Sequence, residues 1–208
     1  MGKRRLIGKI VILMLGLAAV VILAANSDTI PVSTPKKGYR VVIDPGHGGS
    51  DCGAVGVSGV KEAGLNLAVS LYLKEELEAL GMEAILTRSD ERALAEGKKA
   101  DMAARGKIMN GEGVDLVVSV HMNKFTDPSV HGPMAFYMKG SAEGEKLAKT
   151  VIDSITDELG APRRIANPGD YYVIRESMPV SVLVECGFLS NSGDEALLQQ
   201  EQHQKKLA

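Results

Sequence analysis

The sequence predicts a three-layer α/β domain over residues 39–208. The first observation is that several β-branched, apolar runs end in glycine-rich or polar segments, as buried strands do. The second is that amphipathic segments, with apolar residues three or four positions apart, alternate with these runs. Strands that alternate with helices indicate parallel pairing, because a right-handed crossover returns the chain to the same edge of the sheet.

A strand–helix–strand unit opens this domain. The predicted strands cover residues 39–44 and 82–87. Between them lies an amphipathic helix, and Gly81 directly follows its last turn, where glycine commonly ends a helix. The apolar face of this helix is formed by Leu65, Val69, Leu73, Leu77 and Leu80. The two strands are therefore expected to pair in parallel.

The elements after this unit are predicted from the same two patterns. Strands are expected over residues 114–120, 134–138, 171–175 and 180–185, and helices over residues 100–109 and 143–159. Ser192 and Glu195 have the spacing of a capping box, which predicts a last helix from Ser192 to the end of the chain.

Residues 1–26 differ in composition from the rest of the chain. Four basic residues precede an uncharged apolar run over residues 10–25. This order is typical of export signals and membrane anchors whose N-terminus stays in the cytoplasm. An uncleaved anchor is predicted, with a cleaved signal peptide as the alternative, and residues 27–38 are expected to be a linker. The remaining chain is therefore expected outside the cytoplasmic membrane.

The composition argues against several classes of function. A formal net charge of −2 offers no basic surface for nucleic acid. Tryptophan is absent and aromatic residues make up 4%, which gives little support to a surface that stacks on bases. Two cysteines are too few for a disulfide framework. Cys52 and Cys186 are expected to be free thiols, with one bridge between them as the alternative.

Three predicted strands end close to side chains that bind metals or transfer protons. His47 follows the first strand in a Pro-Gly-His-Gly-Gly turn, and His121 and Glu185 end two later strands. Such strand ends are a common place for the chemistry of α/β proteins. A catalytic zinc ion takes three protein ligands and leaves one position open. His47 and His121 are expected ligands, and Glu62 is the preferred third because it begins the first helix. The competing carboxylates are Asp44, Asp51 and Asp115.

Glu185 ends an apolar run, so burial is expected to raise its pKa. A raised pKa suits a general base that takes a proton from water and returns it to a leaving nitrogen. The alternative is that Glu185 forms an ion pair with Arg175 or Lys124. Arg175 is a candidate to contact an oxyanion or a substrate carboxylate, with a surface ion pair as its alternative. Asn123 is a candidate to orient a ligand or the substrate.

Six groups of residues follow one another along residues 39–208 in a recognisable order. They are Ile43-Asp44-Pro45-Gly46-His47-Gly48-Gly49, Gly59 with Glu62, Asn66-Leu67, Leu86-Thr87-Arg88, Ser119-Val120-His121-Met122-Asn123 and Leu183-Val184-Glu185-Cys186-Gly187-Phe188-Leu189-Ser190-Asn191. Together they resemble the zinc-dependent N-acetylmuramoyl-L-alanine amidases. The resemblance extends from about Tyr39 to the end of the chain.

This resemblance implies a mixed β-sheet flanked by helices. It implies that His47, Glu62 and His121 bind one zinc ion (Zn2+) per chain and that Glu185 is the catalytic residue. It also implies hydrolysis of the amide bond between the lactyl group of N-acetylmuramic acid and L-alanine of the stem peptide in bacterial peptidoglycan. The chain stops at residue 208, where relatives usually continue the last helix, so a shortened last helix is expected.

The short N-terminal segment, without an added wall-binding domain, resembles the germination-specific, spore-cortex type of the family. The residues around Lys124-Phe125 and Gly132-Pro133 point to the same type, which is associated with muramic δ-lactam in the cortex. An accessory protein is left open. Two other functions compete: a cysteine-dependent cell-wall hydrolase that uses Cys52 or Cys186 beside a histidine, and a non-catalytic peptidoglycan-binding module of the same fold.

Overall fold

The computed structural model describes residues 38–162 and 164–208. The predicted anchor over residues 1–26 and all but the last residue of the expected linker lie outside this part of the chain. No helix in the described ranges combines the length and the apolar composition that a membrane span requires.

Strands and helices alternate along the described chain, as the sequence predicts. The strands are β1 (Arg40–Pro45), β2 (Glu83–Leu86), β3 (Leu116–Asn123), β4 (Met134–Met138), β5 (Asn167–Gly169) and β6 (Val180–Phe188). The helices are α1 (Glu62–Ala79), α2 (Lys98–Met109), α3 (Ala142–Leu159), α4 (Tyr172–Arg175), α5 (Ser192–Leu198) and α6 (Glu201–Leu207). Apart from the region of α4 and the C-terminal helix, the predicted bounds are correct to within three residues.

The strands form one mixed sheet in the order β2-β1-β3-β6-β4-β5. Strands β2, β1, β3 and β6 are parallel to one another, so their carboxyl ends meet at one edge. Strand β4 is antiparallel to β6 and parallel to β5. The mixed sheet that the family resemblance implies is therefore confirmed.

Two apolar clusters cover the opposite faces of this sheet. On one face, α1, α3, α5 and α6 pack against alternate strand residues such as Val41 and Val182. On the other face, α2 and α4 pack against the intervening residues, such as Val42 and Leu183. Because side chains alternate along a strand, central strands that are covered on both faces are apolar almost throughout. The result is the three-layer arrangement expected from the sequence.

The prediction of a strand over residues 171–175 is wrong. Residues 172–175 form the short helix α4, Tyr171 precedes it, and the outer strand that pairs with β4 is instead β5. Val173 and Ile174 of α4 are buried in the cluster beside Leu183. A short apolar run has too few positions to distinguish a helical period from a strand period, so its apolar residues indicate a buried segment without deciding which element it forms.

The prediction of one continuous last helix is also wrong, because the chain breaks at residues 199–200 between α5 and α6. The cap lies one residue earlier than expected: Asn191 Oδ1 accepts hydrogen bonds from two backbone N–H groups of the first turn, both at 3.0 Å. In place of the expected capping box with Ser192, the Glu195 carboxylate accepts hydrogen bonds from the backbone N–H and hydroxyl of Ser58.

We expect Asn191→Ala to lower the free energy of unfolding by about 1 kcal/mol, since it removes the oxygen that caps α5. Chemical denaturation monitored by circular dichroism measures this change. Ser192→Ala is the matched control, and we expect less than about 0.5 kcal/mol there because the residue is exposed. A larger loss for Ser192→Ala than for Asn191→Ala would contradict the observed cap.

Candidate active site

The turn after β1 presents His47 at the edge where the parallel strands end. His47 has a φ of +61°, in the left-handed region that non-glycine residues rarely adopt. Gly46 packs directly against the ring of His121, because a Cβ atom at residue 46 would lie 2.2 Å from that ring. Only glycine fits this approach, so the turn after β1 brings His47 close to His121 of β3. Their ring centroids lie 5.0 Å apart.

His47, Glu62 and His121 converge at this edge as the sequence predicts. Glu62 Oε1 lies 3.2 Å from His47 Nε2 and 2.9 Å from His121 Nδ1. One ligand atom from each of the three residues lies within 4.8 Å of the others. Two imidazole nitrogens and one carboxylate form a donor set typical of a catalytic zinc site. The three residues therefore fit a zinc ion.

The Glu62 carboxylate is held by several neighbours although it is only 3% exposed. The backbone N–H groups of Ala54 and Met122 donate to it at 2.7 and 3.2 Å, and the Asn66 amide donates at 3.2 Å. Burial alone would raise the pKa of Glu62, but the hydrogen bonds and charges of the two histidines lower this pKa well below its usual range. The carboxylate is therefore ionised, as a metal ligand must be.

The competing carboxylates occupy other positions. Asp44 is buried and accepts a hydrogen bond from Arg105 at 2.8 Å. Asp115 accepts from the backbone N–H of Arg40. Asp51 Oδ1 lies 3.0 Å from His47 Nδ1, within ion-pair distance. Asp51 therefore faces the imidazole nitrogen that is turned away from Glu62 and contributes to the orientation of the ring.

Glu185 lies on β6 directly opposite His121 of β3 in the parallel register. Its side chain is buried, and Oε2 has no hydrogen-bond partner among the described residues. The pKa of Glu185 is raised to about 7, chiefly by burial; the nearby charge of Glu62 also raises this pKa, whereas the charges of His121 and His47 partly offset the rise. The raised pKa expected from the sequence is confirmed.

The ion pairs offered as alternatives for Glu185 are absent from the described structure. Arg175 donates instead to Asp170 at 2.6 Å and to Glu176 at 2.9 Å, with its side chain 40% exposed. Lys124 Nζ donates to a backbone carbonyl of the glycine-rich loop. Arg175 also lies outside the lining of the cleft described below, so the structure supports its interpretation as a surface ion pair.

A cleft of about 400 Å³ contains the three candidate ligands and Glu185. Asn123 lines it too, and its role in orienting a ligand or the substrate stays a prediction. Tyr171 and Lys98 line the walls, although no sequence signal pointed to either. The Tyr171 ring packs edge to face on Phe136 with centroids 5.1 Å apart. The sequence predicts a strand over residues 171–175, and a strand there does not indicate that Tyr171 lines the cleft.

Both cysteines are free, as expected, and neither lines the cleft. Cys186 follows Glu185 but points to the opposite face of the sheet, into an apolar cluster. Burial raises the pKa of the Cys186 thiol well above its usual range. A nucleophilic cysteine requires a lowered pKa and access to the substrate. The arrangement therefore disfavours a cysteine hydrolase.

Comparison with known proteins gives one consistent family. A family model described as N-acetylmuramoyl-L-alanine amidase matches residues 41–208. The chain is 32% identical over 192 residues to the germination-specific N-acetylmuramoyl-L-alanine amidase of Bacillus subtilis, which covers 88% of this chain and 81% of that protein.

Two solved structures of similar proteins support the same relationship. The CwlD amidase from Clostridioides difficile, solved in complex with the GerS lipoprotein, has 30% identity and a TM-score of 0.77 over 81% of this chain and 92% of that one. The catalytic domain of CwlV, an N-acetylmuramoyl-L-alanine amidase from Bacillus (Paenibacillus) polymyxa, has 32% identity and a TM-score of 0.73 over 81% and 91%.

We expect the metal-free protein to become less stable, relative to Glu185→Gln, as pH rises from about 4.5 to about 7. The folded pKa of Glu185 lies above the unfolded value, so in this window the folded state binds more protons and loses stability with rising pH. Denaturation in EDTA at pH 4 to 8 measures this change. The unfolding free energy of the wild type minus that of Glu185→Gln should fall by about 3 kcal/mol as pH rises across this range.

The exposed residue Glu112 offers a matched control for this measurement. The Glu112→Gln variant should follow the pH dependence of the wild-type protein. Parallel stability curves for wild type and Glu185→Gln across this range would contradict the raised pKa of Glu185.

Proposed function

Because the chain belongs to the N-acetylmuramoyl-L-alanine amidase family, we propose that it cleaves its substrate by a zinc-dependent reaction. Membership makes it an amidase of peptidoglycan, which hydrolyses the amide bond between N-acetylmuramic acid and L-alanine of the stem peptide. The observation that carries the zinc-dependent proposal is the convergence of His47, Glu62 and His121 beside the unpaired carboxyl group of Glu185.

His47, Glu62 and His121 would hold one zinc ion per chain. When bound, zinc supplies Lewis acidity toward the scissile carbonyl and the attacking water. The ionised Glu62 carboxylate supports this proposal, because it places a negative charge between the two imidazole rings that would share the ion. Asp51 supports it by facing the far nitrogen of His47, the position in which an outer carboxylate orients a ligating imidazole.

Glu185 would transfer the protons of the reaction. Its unpaired Oε2 has a lone pair available for a proton of the attacking water. A carboxyl group with a pKa near 7 can both accept and donate a proton at neutral pH. Glu185 would take the proton as the water oxygen bonds to the lactyl carbonyl carbon, and would deliver it to the nitrogen of L-alanine as the C–N bond breaks. The products are a lactyl carboxylic acid and a free stem-peptide amine; at neutral pH the acid releases its proton and the amine takes one up.

Tyr171 contributes to the environment that Glu185 needs. The ring is held against Phe136 and lines the cleft together with Glu185. Burial and the charge of Glu185 raise the pKa of Tyr171, so the phenol stays neutral at physiological pH. On one wall of the cleft, this partly exposed aromatic ring would limit the access of water to Glu185 and help to keep its pKa raised.

Spore-cortex peptidoglycan is the substrate we infer within this activity. The support is the similarity to the germination-specific amidase of Bacillus subtilis. A relative from Clostridioides difficile was solved in complex with a lipoprotein, which supports an accessory protein for this chain as well. Peptidoglycan lies outside the cytoplasmic membrane, so the basic and apolar segment at residues 1–26 is proposed to carry the catalytic domain there.

Glu185→Gln is expected to keep about one zinc ion per chain and to lose turnover by about 10²- to 10⁴-fold, because it removes the proton carrier and leaves the ligands. Metal analysis and release of stem peptides from vegetative sacculi and spore cortex measure the two properties. Cys52→Ala is the matched control and should retain full activity. Activity that survives removal of the metal by a chelator, or full activity of Glu185→Gln, would contradict the mechanism.

The full-length chain is expected in the membrane fraction of cells, with residues 39–208 digestible by protease added outside the cytoplasmic membrane. The physical reason is the length and apolar composition of residues 10–25 behind a basic segment. Fractionation and protease treatment of protoplasts measure this, with a variant that lacks residues 1–26 as control. Protection of the full-length chain from protease would contradict the proposed location.

A further inference from the structure

We infer that two buried arginines, Arg88 and Arg105, are positioning residues that hold the main chain of residues 45–47 in the conformation that brings the His47 imidazole to Glu62. The inference rests on the proposed metal site. The proposed mechanism gives no role to either side chain. Arg105 reaches the lining of the cleft, and Arg88 belongs to the Leu86-Thr87-Arg88 motif.

Arg105 spans the outer side of the His47 turn. Its side chain is 1% exposed and lies in α2. The guanidinium donates to the carbonyl oxygens of Pro45 at 2.7 Å and His47 at 2.5 Å. The same group donates to the carboxylates of Asp44 at 2.8 Å and Asp101 at 2.7 Å. Four acceptors, from β1, the turn after it and α2, therefore fix the planar guanidinium, and the guanidinium in turn holds the carbonyl of His47 itself.

Arg88 holds the same turn from a second direction. It is 3% exposed and donates to the carbonyl oxygen of Pro45 at 2.9 Å and to that of Gly46 at 2.8 Å. It also donates to the carbonyl of Ala63 at 2.8 Å. Ala63 follows Glu62 in the first turn of α1, so Arg88 joins the loop of one candidate ligand to the helix of another. The carbonyls of residues 45, 46 and 47 thus each accept a hydrogen bond from a guanidinium.

The turn needs such support because its conformation is unfavourable by itself. A non-glycine residue with a φ of +61° persists only where the surrounding structure imposes it. The carbonyls of the turn are inside the protein, where an acceptor without a donor destabilises the fold. A relaxed turn would rotate the His47 imidazole away from Glu62 and would also shift Gly46 from its contact with His121.

Charge balance explains how two guanidinium groups are tolerated in the interior. Asp44 and Asp101 face Arg105, and two carboxylates offset two cations. Burial and the charge of Arg105 lower the pKa of Arg88 to about 10, so it remains protonated at neutral pH. Lysine would keep the charge but not the geometry, because one ammonium group cannot reach acceptors that a planar fork spans.

Arg105→Lys and Arg88→Lys in the full chain test the role. Competition with a chelator of known affinity measures the zinc dissociation constant, and thermal denaturation in EDTA measures the stability of the metal-free protein. We expect each variant to raise the dissociation constant about 10- to 100-fold, as loss of an outer group around a metal ligand does. Ile152→Val is the matched control, because it removes one methyl group from a fully buried side chain of α3. It should lower the Tm by a few degrees and leave the dissociation constant within about twofold.

Asp101→Asn provides a milder test if a lysine variant does not fold, since it weakens the hold on Arg105 without removing either guanidinium. A several-fold rise in the zinc dissociation constant is expected for it. Variants that lose thermal stability but bind zinc as tightly as the wild type would overturn the positioning role and leave the proposed function intact. Failure of the wild-type protein itself to bind zinc would overturn both.

Discussion

The buried carboxylate of Glu62 is the constraint on which the rest of the site depends. It lies against both candidate histidine ligands and accepts hydrogen bonds from the backbone of Ala54 and Met122. These partners come from the glycine-rich loop, from β3 and from the turn after β1. An ionised carboxylate in the interior is tolerated only while it is paired and hydrogen-bonded. None of these segments can therefore move away without leaving a buried charge uncompensated.

Two carboxyl groups at the same sheet edge differ in protonation because their neighbours differ. Glu62 has backbone, amide and imidazole partners, which lower its pKa. Glu185 is also buried, but its Oε2 has no partner among the described residues, and its pKa is raised to about 7. Environments that separate the pKa values of two nearby groups also separate their roles. One carboxyl group suits metal binding, and the other suits proton transfer.

The predictions from the sequence succeed where the pattern is long and fail where it is short. The helix over Glu62–Ala79 and the strands β1, β3 and β6 have enough apolar positions to define their period. Residues 171–175 do not, and their buried Val173 and Ile174 were assigned to a strand although they lie in α4. The break between α5 and α6 has no local sequence signal either. The capping-box spacing of Ser192 and Glu195 is also misleading, because the Glu195 carboxylate accepts a hydrogen bond from Ser58 in a distant loop.

The sequence by itself determined the layers of the fold and the approximate place of the site, because parallel strands bring their carboxyl ends to one edge. It also determined the candidate ligands, since two histidines and Glu62 stand at the ends and beginnings of these elements. Only the tertiary structure decided which carboxylate lies between the two imidazoles and that Arg88 and Arg105 hold the His47 turn. Those contacts join residues far apart in the chain, and they depend on side-chain distances that periodicity does not encode.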